Sequence, residues 1–85
     1  MPIIDRDIIE ATVFTVVADQ WGVSKNQLTR QTHFINDLNA DELDGVELVM
    51  ELEEQFDIRI PDEDSEKLLT VGEVIDYVAK AKGVA

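Results

Sequence analysis

The residues of this chain best placed to do chemistry are carboxylates. Between Phe34 and Ile58 stand Asp37, Asp41, Glu42, Asp44, Glu47, Glu51, Glu53, Glu54 and Asp57, with no lysine or arginine among them. Nine of the 19 acidic residues thus share one window and dominate the field of a chain whose formal net charge is −12. Three kinds of chemistry are open to such a cluster. The first is proton transfer, with Glu42 or the single histidine, His33, as acid or base. A helix dipole keeps a carboxylate at its N-terminus ionised and so a weak base, and a lone loop histidine is far more often solvated than catalytic. No catalytic residue is expected. The second is metal binding, since Asp37-x-Asn39-x-Asp41 opens like a calcium loop. Glu42 stands where that loop needs glycine, and Leu48 where it needs a bidentate glutamate, so no specific metal site is expected. Loose divalent binding among these carboxylates would still relieve their mutual repulsion. The third is attraction of basic protein surfaces, which requires only the charge.

Composition narrows the choice. Eighty-five residues suit one small domain, 1–85, and are too few for two cores. A hydrophobic content of 45% supports folding, while 31% charged residues keep much of the surface wet. The absence of cysteine excludes disulfides, thiolate zinc sites and a cysteine nucleophile. The N-terminus has no basic-then-apolar signal pattern, and no apolar run approaches the ~18–20 residues of a membrane span. A cytoplasmic monomer is expected. Its negative field repels nucleic acid phosphates and anionic membranes, so neither is expected as a partner.

The acidic window is interleaved with apolar residues at helical spacing, which argues against a disordered acidic tail. Asp41 is a good N-cap for a helix running to about Phe56, with Asp44 as its capping-box acid. Upstream, Asp5 can cap a first helix reaching about Gln20, with Ile8, Ile9, Thr12, Val13, Val16 and Val17 facing the core. Its β-branched residues also suit a strand; the length of the periodic run favours helix. Trp21-Gly22 ends this helix, and Gly22 fits the C′ position. A polar connector from Val23 to Asn39 follows, anchored by Leu28, Phe34 and Leu38, with a short helical turn expected around Lys25–Thr29. After the second helix, Ile58-Arg59-Ile60-Pro61 must be extended. A short third helix starts at Pro61 and ends near Leu68 or Leu69. Thr70 and Glu73 form a capping box that opens a fourth helix through about Ala81, with Val71, Val74, Ile75 and Val78 inward and Gly83 as the stop. The expected fold is all-α, a small bundle of three main helices and one minor one.

The second helix has two apolar faces. At about 100° per residue, Gly45, Leu48, Val49, Leu52 and Phe56 form the core stripe. Leu43, Val46 and Met50 fall on the opposite side, with Glu47 and Glu54 among them and Asp44 and Glu51 at their flanks. Scattered surface hydrophobes are common and need no function. The alternative is a docking face, in which apolar anchors enter partner pockets and carboxylates steer the helix towards basic patches. Methionine suits a surface that must fit several partners.

Several segments match a known pattern in order. Phe34-x-x-Asp37-Leu38, Asp41-x-Leu43-Asp44-x-Val46-Glu47-Leu48-Val49-Met50 and Leu52-Glu53-Glu54-x-Phe56 closely resemble the central segment of the acyl carrier protein family. Ile58-x-Ile60-Pro61-Asp62-Glu63 and Thr70-Val71-Gly72-Glu73-Val74-Ile75-x-Tyr77-Val78 extend the resemblance to most of the chain. It implies a four-helix bundle, not an enzyme, that shuttles acyl groups between enzymes of fatty-acid or polyketide synthesis. It also implies that basic surfaces of acyl-carrier-dependent enzymes read Asp41, Asp44, Val46, Glu47, Met50, Glu53 and Glu54, and that the core can house an acyl chain.

One departure bears on the cofactor. The family's signature is Asp-Ser-Leu, whose serine carries phosphopantetheine through a phosphodiester; here the triplet is Asp41-Glu42-Leu43. Glu42 has no hydroxyl to esterify, and neither Ser24 nor Ser65 lies in a matching context. A carboxylate there favours the helix dipole by ~0.3–1 kcal/mol and crudely imitates the missing phosphate. The expectation is a docking module that carries no phosphopantetheine at Glu42. An ordinary acyl carrier protein with an engineered serine-to-glutamate change that blocks priming fits the same residues. Two further differences stand out: Asn39 where the family commonly has glycine, and Gly45 in the core stripe, where glycine costs ~1 kcal/mol relative to alanine.

Overall fold

The computed structural model describes residues 5–84, and four α-helices account for most of them. These are α1 (Arg6–Trp21), α2 (Glu42–Phe56), α3 (Asp62–Ser65) and α4 (Val71–Ala81), with one 3₁₀ turn at Lys25–Gln27 between α1 and α2. Each long helix starts where a local hydrogen-bond acceptor says it should. Asp5 accepts from the Ile8 N–H at 2.9 Å, and Asp41–Asp44 and Thr70–Glu73 close reciprocal capping boxes. Gly22 ends α1 in the left-handed region at φ 65°, and its N–H returns to the Ala18 carbonyl. Ser24 caps the 3₁₀ turn, within the segment expected to be helical.

The core lies between α1, α2 and α4. Ile9, Val13 and Val17 of α1 meet Leu52 of α2 and Val71, Val74, Ile75 and Val78 of α4, all fully buried. Leu28 and Phe34 reach into this core from the connector, and Phe34 stacks on Trp21 with ring centroids 5.7 Å apart. The connector is sewn to the start of α4 by backbone bonds: Phe34 N–H to the Leu69 carbonyl, Val71 N–H to Thr32, and Gly72 N–H to Arg30 at 2.8 Å. His33 and Thr70 form an isolated antiparallel bridge there.

Four expectations are corrected. Ile8 points outward at 47% exposure, and Ala18 takes a buried place on α1 instead. Adjacent residues on a helix lie about 100° apart, and Ile8 falls outside the stripe that Ile9, Val13 and Val16 turn to the core. Thr12 is half-buried at the edge of that stripe. Gly45 is exposed and Val49 half-buried, so the core stripe of α2 narrows to Leu48, Leu52 and Phe56. Finally, α3 stops at Ser65 rather than near Leu68 or Leu69. The Lys67 and Leu68 N–H groups bond three residues back, to Asp64 and Ser65, and the Ser65 hydroxyl donates to the Asp62 carbonyl. These tight turns replace another helical turn.

Candidate functional site

The approach to α2 is built residue by residue. The Ala40 N–H bonds the Phe34 carbonyl, and Asn39 sits at φ 55°, a left-handed turn that asparagine tolerates, so the chain enters the helix sharply. Asp41 then accepts from the Asp44 N–H at 2.9 Å, and Asp44 accepts from the Asp41 N–H at 3.0 Å. Gln20 of α1 donates to the Asp44 carbonyl at 2.8 Å and fixes the first turn of α2 against the bundle. Glu42, the first helical residue, is thereby held on the surface.

The outward face of α2 is exposed as its periodicity implies. Leu43 and Met50 are each 63% exposed and Val46 is 51% exposed. Glu42, Val46 and Met50 line an open groove with Ile35 from the connector and Leu69 from the segment before α4. Ile35, at 56% exposure, and Leu69, at 42%, were not anticipated as part of this surface. Neither lies on a periodic element, so spacing carries no sign of which way they point. Glu47, Glu51 and Glu54 line a second, shallower groove between α1 and α2, which Asp19 joins from α1.

The remaining carboxylates are not equivalent. Glu53 lines the groove with Val46 and Met50 and accepts from the Ile60 N–H at 2.9 Å, which holds the extended link after α2. Glu51 accepts from Gln55 one turn along the helix at 3.1 Å. Asp37 accepts from the His33 N–H at 2.7 Å, while Nδ1 of His33 accepts from the N–H groups of Ile35 and Asn36. Among the described residues no group of three or more histidine, aspartate or glutamate side chains is placed to hold a metal ion. Of the two serines, Ser24 accepts from the Asn26 N–H and Ser65 donates to the Asp62 carbonyl, so each serves a local turn, and Ser65 also borders the groove beside α2.

Two cationic residues approach α2: Arg59 lines the groove, and the Lys82 Nζ donates to the Phe56 carbonyl at the helix end at 2.9 Å. The ion pairs found among the described residues join Arg6 and Arg30 to Asp76, and Arg30 to Glu10. The Arg30 guanidinium, with help from Arg6, holds the Asp76 carboxyl below the usual carboxylate range. None of these pairs reaches α2. Its outer surface therefore combines three exposed apolar side chains with carboxylates that form no ion pair among the described residues.

Residues 11–78 match the family profile described as "Phosphopantetheine attachment site". Over 72 residues the chain is 49% identical to a protein named acyl carrier protein from Chlorobium phaeobacteroides, spanning 85% of this chain and 92% of that one.

Proposed function

Because the chain belongs to the acyl carrier protein family, we propose that it is a carrier-type docking module without its own prosthetic group. The observation that carries this reading is the pairing of an exposed apolar and acidic face on α2 with Glu42 at its first position. Phosphopantetheine is the family's group, and its phosphodiester forms on a hydroxyl oxygen. Glu42 offers only a carboxylate, and an acyl phosphate mixed anhydride in its place would be labile. The residues at the head of α2 thus do not fit the group.

The proposed docking surface comprises Asp41, Leu43, Asp44, Val46, Glu47, Met50, Glu51, Glu53 and Glu54, in a single domain spanning 1–85. Leu43, Val46 and Met50 supply apolar anchors; Glu47, Glu51 and Glu54 supply steering charge. Asp41, Asp44 and Glu53 act chiefly by holding α2 and the link that follows it. The partners are basic surfaces of acyl-carrier-dependent enzymes of fatty-acid or polyketide metabolism, met by a cytoplasmic monomer. No described helix is long and apolar enough to cross a membrane, and the chain, as a carrier-family member, is not an enzyme.

Intact mass after incubation with coenzyme A and a broad-specificity phosphopantetheinyl transferase tests the reading, for this chain and for Glu42→Ser. Gain of one phosphopantetheine by Glu42→Ser alone is the expected result. Modification of the unaltered chain overturns the claim about Glu42. Modification of neither, with Glu42→Ser still folded, means that the docking surface is not one such an enzyme reads.

A further inference from the structure

Where a side chain caps a helix of this fold the capping atom is oxygen, and Pro61 before α3 makes no such cap. Asp5, Ser24, Asp41 and Thr70 cap their helices through carboxylate or hydroxyl oxygens, which accept throughout the neutral pH range. The turn after residue 33 is capped by an imidazole instead. Nδ1 of His33 accepts from the Ile35 N–H at 3.2 Å and the Asn36 N–H at 3.1 Å. An accepting ring nitrogen carries no proton, so the neutral ring bears its hydrogen on Nε2.

The turn leads straight to the proposed docking groove. Asp37 N–H bonds the His33 carbonyl, Asn39 N–H bonds Ile35, and Ala40 N–H bonds Phe34, one residue before the Asp41 cap. Ile35 lines the groove with Glu42 and is exposed, whereas Phe34, next to it, is buried against Trp21. A proton on Nδ1 would turn an acceptor into a donor facing two N–H groups. Both hydrogen bonds would be lost together.

We propose that His33 is a pH-sensitive clamp: the neutral imidazole closes the turn that presents Ile35 at the groove, and protonation releases it. Charged groups on the segments around the ring act in both directions. Asp37, within the turn, and Glu73, beside the bridged Thr70, are negative and attract the imidazolium; each already accepts backbone N–H groups. Arg30, on the same connector, is positive but is committed to Asp76 and Glu10. Histidine is the side chain that ordinarily changes charge between about pH 5 and 8, so the clamp would work where oxygen caps are inert. It stands independently of the docking reading, because its test follows only the turn.

Nitrogen-15 and proton spectra of the whole chain test it. At about pH 8 His33 should be the Nε2–H tautomer; an Nδ1–H tautomer overturns the proposal. On acidification to about pH 5, the Ile35 and Asn36 amide protons should shift upfield with the imidazole transition, and Trp21 emission should change with them. Amides that ignore that transition overturn it. His33→Asn keeps a neutral acceptor and should show no such step; the same step in that variant would assign it to Asp37 or Glu73. Should that variant not fold, the tautomer and the shared transition in the unaltered chain decide.

Discussion

Helices α2 and α4 begin with the same capping box, yet they spend their surfaces in opposite ways. In α4, Val71, Val74, Ile75, Val78 and Ala79 are buried, and the outward acid Asp76 is tied to Arg6 and Arg30. In α2 only Leu48, Leu52 and Phe56 are buried; Leu43, Val46 and Met50 remain outside beside carboxylates that form no ion pair among the described residues. The local grammar of a helix start therefore says nothing about the role of its faces. Helix α4 closes the bundle, whereas α2 gives the bundle one face and leaves an apolar and acidic face exposed.

The largest test of that division swaps apolar side chains on the two helices. Ile75→Ala empties a fully buried site and should cost ~2–5 kcal/mol of stability. Met50→Ala, on the exposed face, should change stability by less than ~0.5 kcal/mol, yet weaken docking to an acyl-carrier-dependent enzyme by ~1 kcal/mol or more. Urea unfolding and titration calorimetry separate the two quantities. Loss of stability in both variants would abolish the distinction between a closing helix and a presenting one.

Each helix also holds one glycine, and the two should respond with opposite sign. A Cβ on Gly72 would lie 2.9 Å from the Arg30 carbonyl oxygen, whose bond to the Gly72 N–H sews the connector to α4. Gly72→Ala should destabilise by ~1–3 kcal/mol. A Cβ on Gly45 meets nothing within 4 Å, so Gly45→Ala should stabilise α2 by ~1 kcal/mol. Thermal melts of the two variants give the signs directly.

Charge reversal of roles comes next in size. Asp76→Asn removes exposed pairs to Arg6 and Arg30 and should cost ~0.2–1 kcal/mol near neutrality. Glu47 faces Glu51 one turn away on α2, so Glu47→Gln should instead stabilise by ~0.2–0.5 kcal/mol. The Asp76 effect has a defined pH window. Its folded-state carboxyl is held below the ordinary 3.8, so its contribution is whole above that value and fades as pH falls through the lower one. The difference between the unaltered chain and Asp76→Asn should vanish in strong acid. A difference that persisted there would assign the effect to packing.

The parts of this fold legible in the sequence are those decided within one turn of chain. The Asp41–Asp44 and Thr70–Glu73 boxes, the Asp5 cap and the Gly22 stop depend on neighbours three or four residues away, and all four are present. The exposed stripe of Leu43, Val46 and Met50 was legible for the same reason: a helix converts spacing into direction. Choices decided across the chain were not legible. Ile8 and Ile9 are equivalent until α2 and α4 pack against one of them. Ile35 and Leu69 sit in segments without a period, and Glu53 reaches forward seven residues to the Ile60 N–H. The inward and outward turns of Phe34 and Ile35 depend on Trp21 and His33, which no local pattern links.

The smallest expected effect concerns cations, and it asks whether the unpaired carboxylates of α2 behave as a field or as sites. Glu47, Glu51 and Glu54 share one groove with Asp19, but no three side chains there converge as ligands. A diffuse field is screened by any salt within about 8–10 Å at moderate ionic strength, and divalent ions, concentrated further by the negative surface, should add to this. Millimolar Mg²⁺ should therefore raise the melting temperature slightly more than NaCl at matched ionic strength. Glu47→Gln should shrink that excess, while Asp76→Asn should leave it unchanged because its charge is already met by arginine. Equal melting temperatures in the two salts would make the surface of α2 a screened field and nothing more. An excess lost only on changing Asp76 would reverse the contrast between α2 and α4.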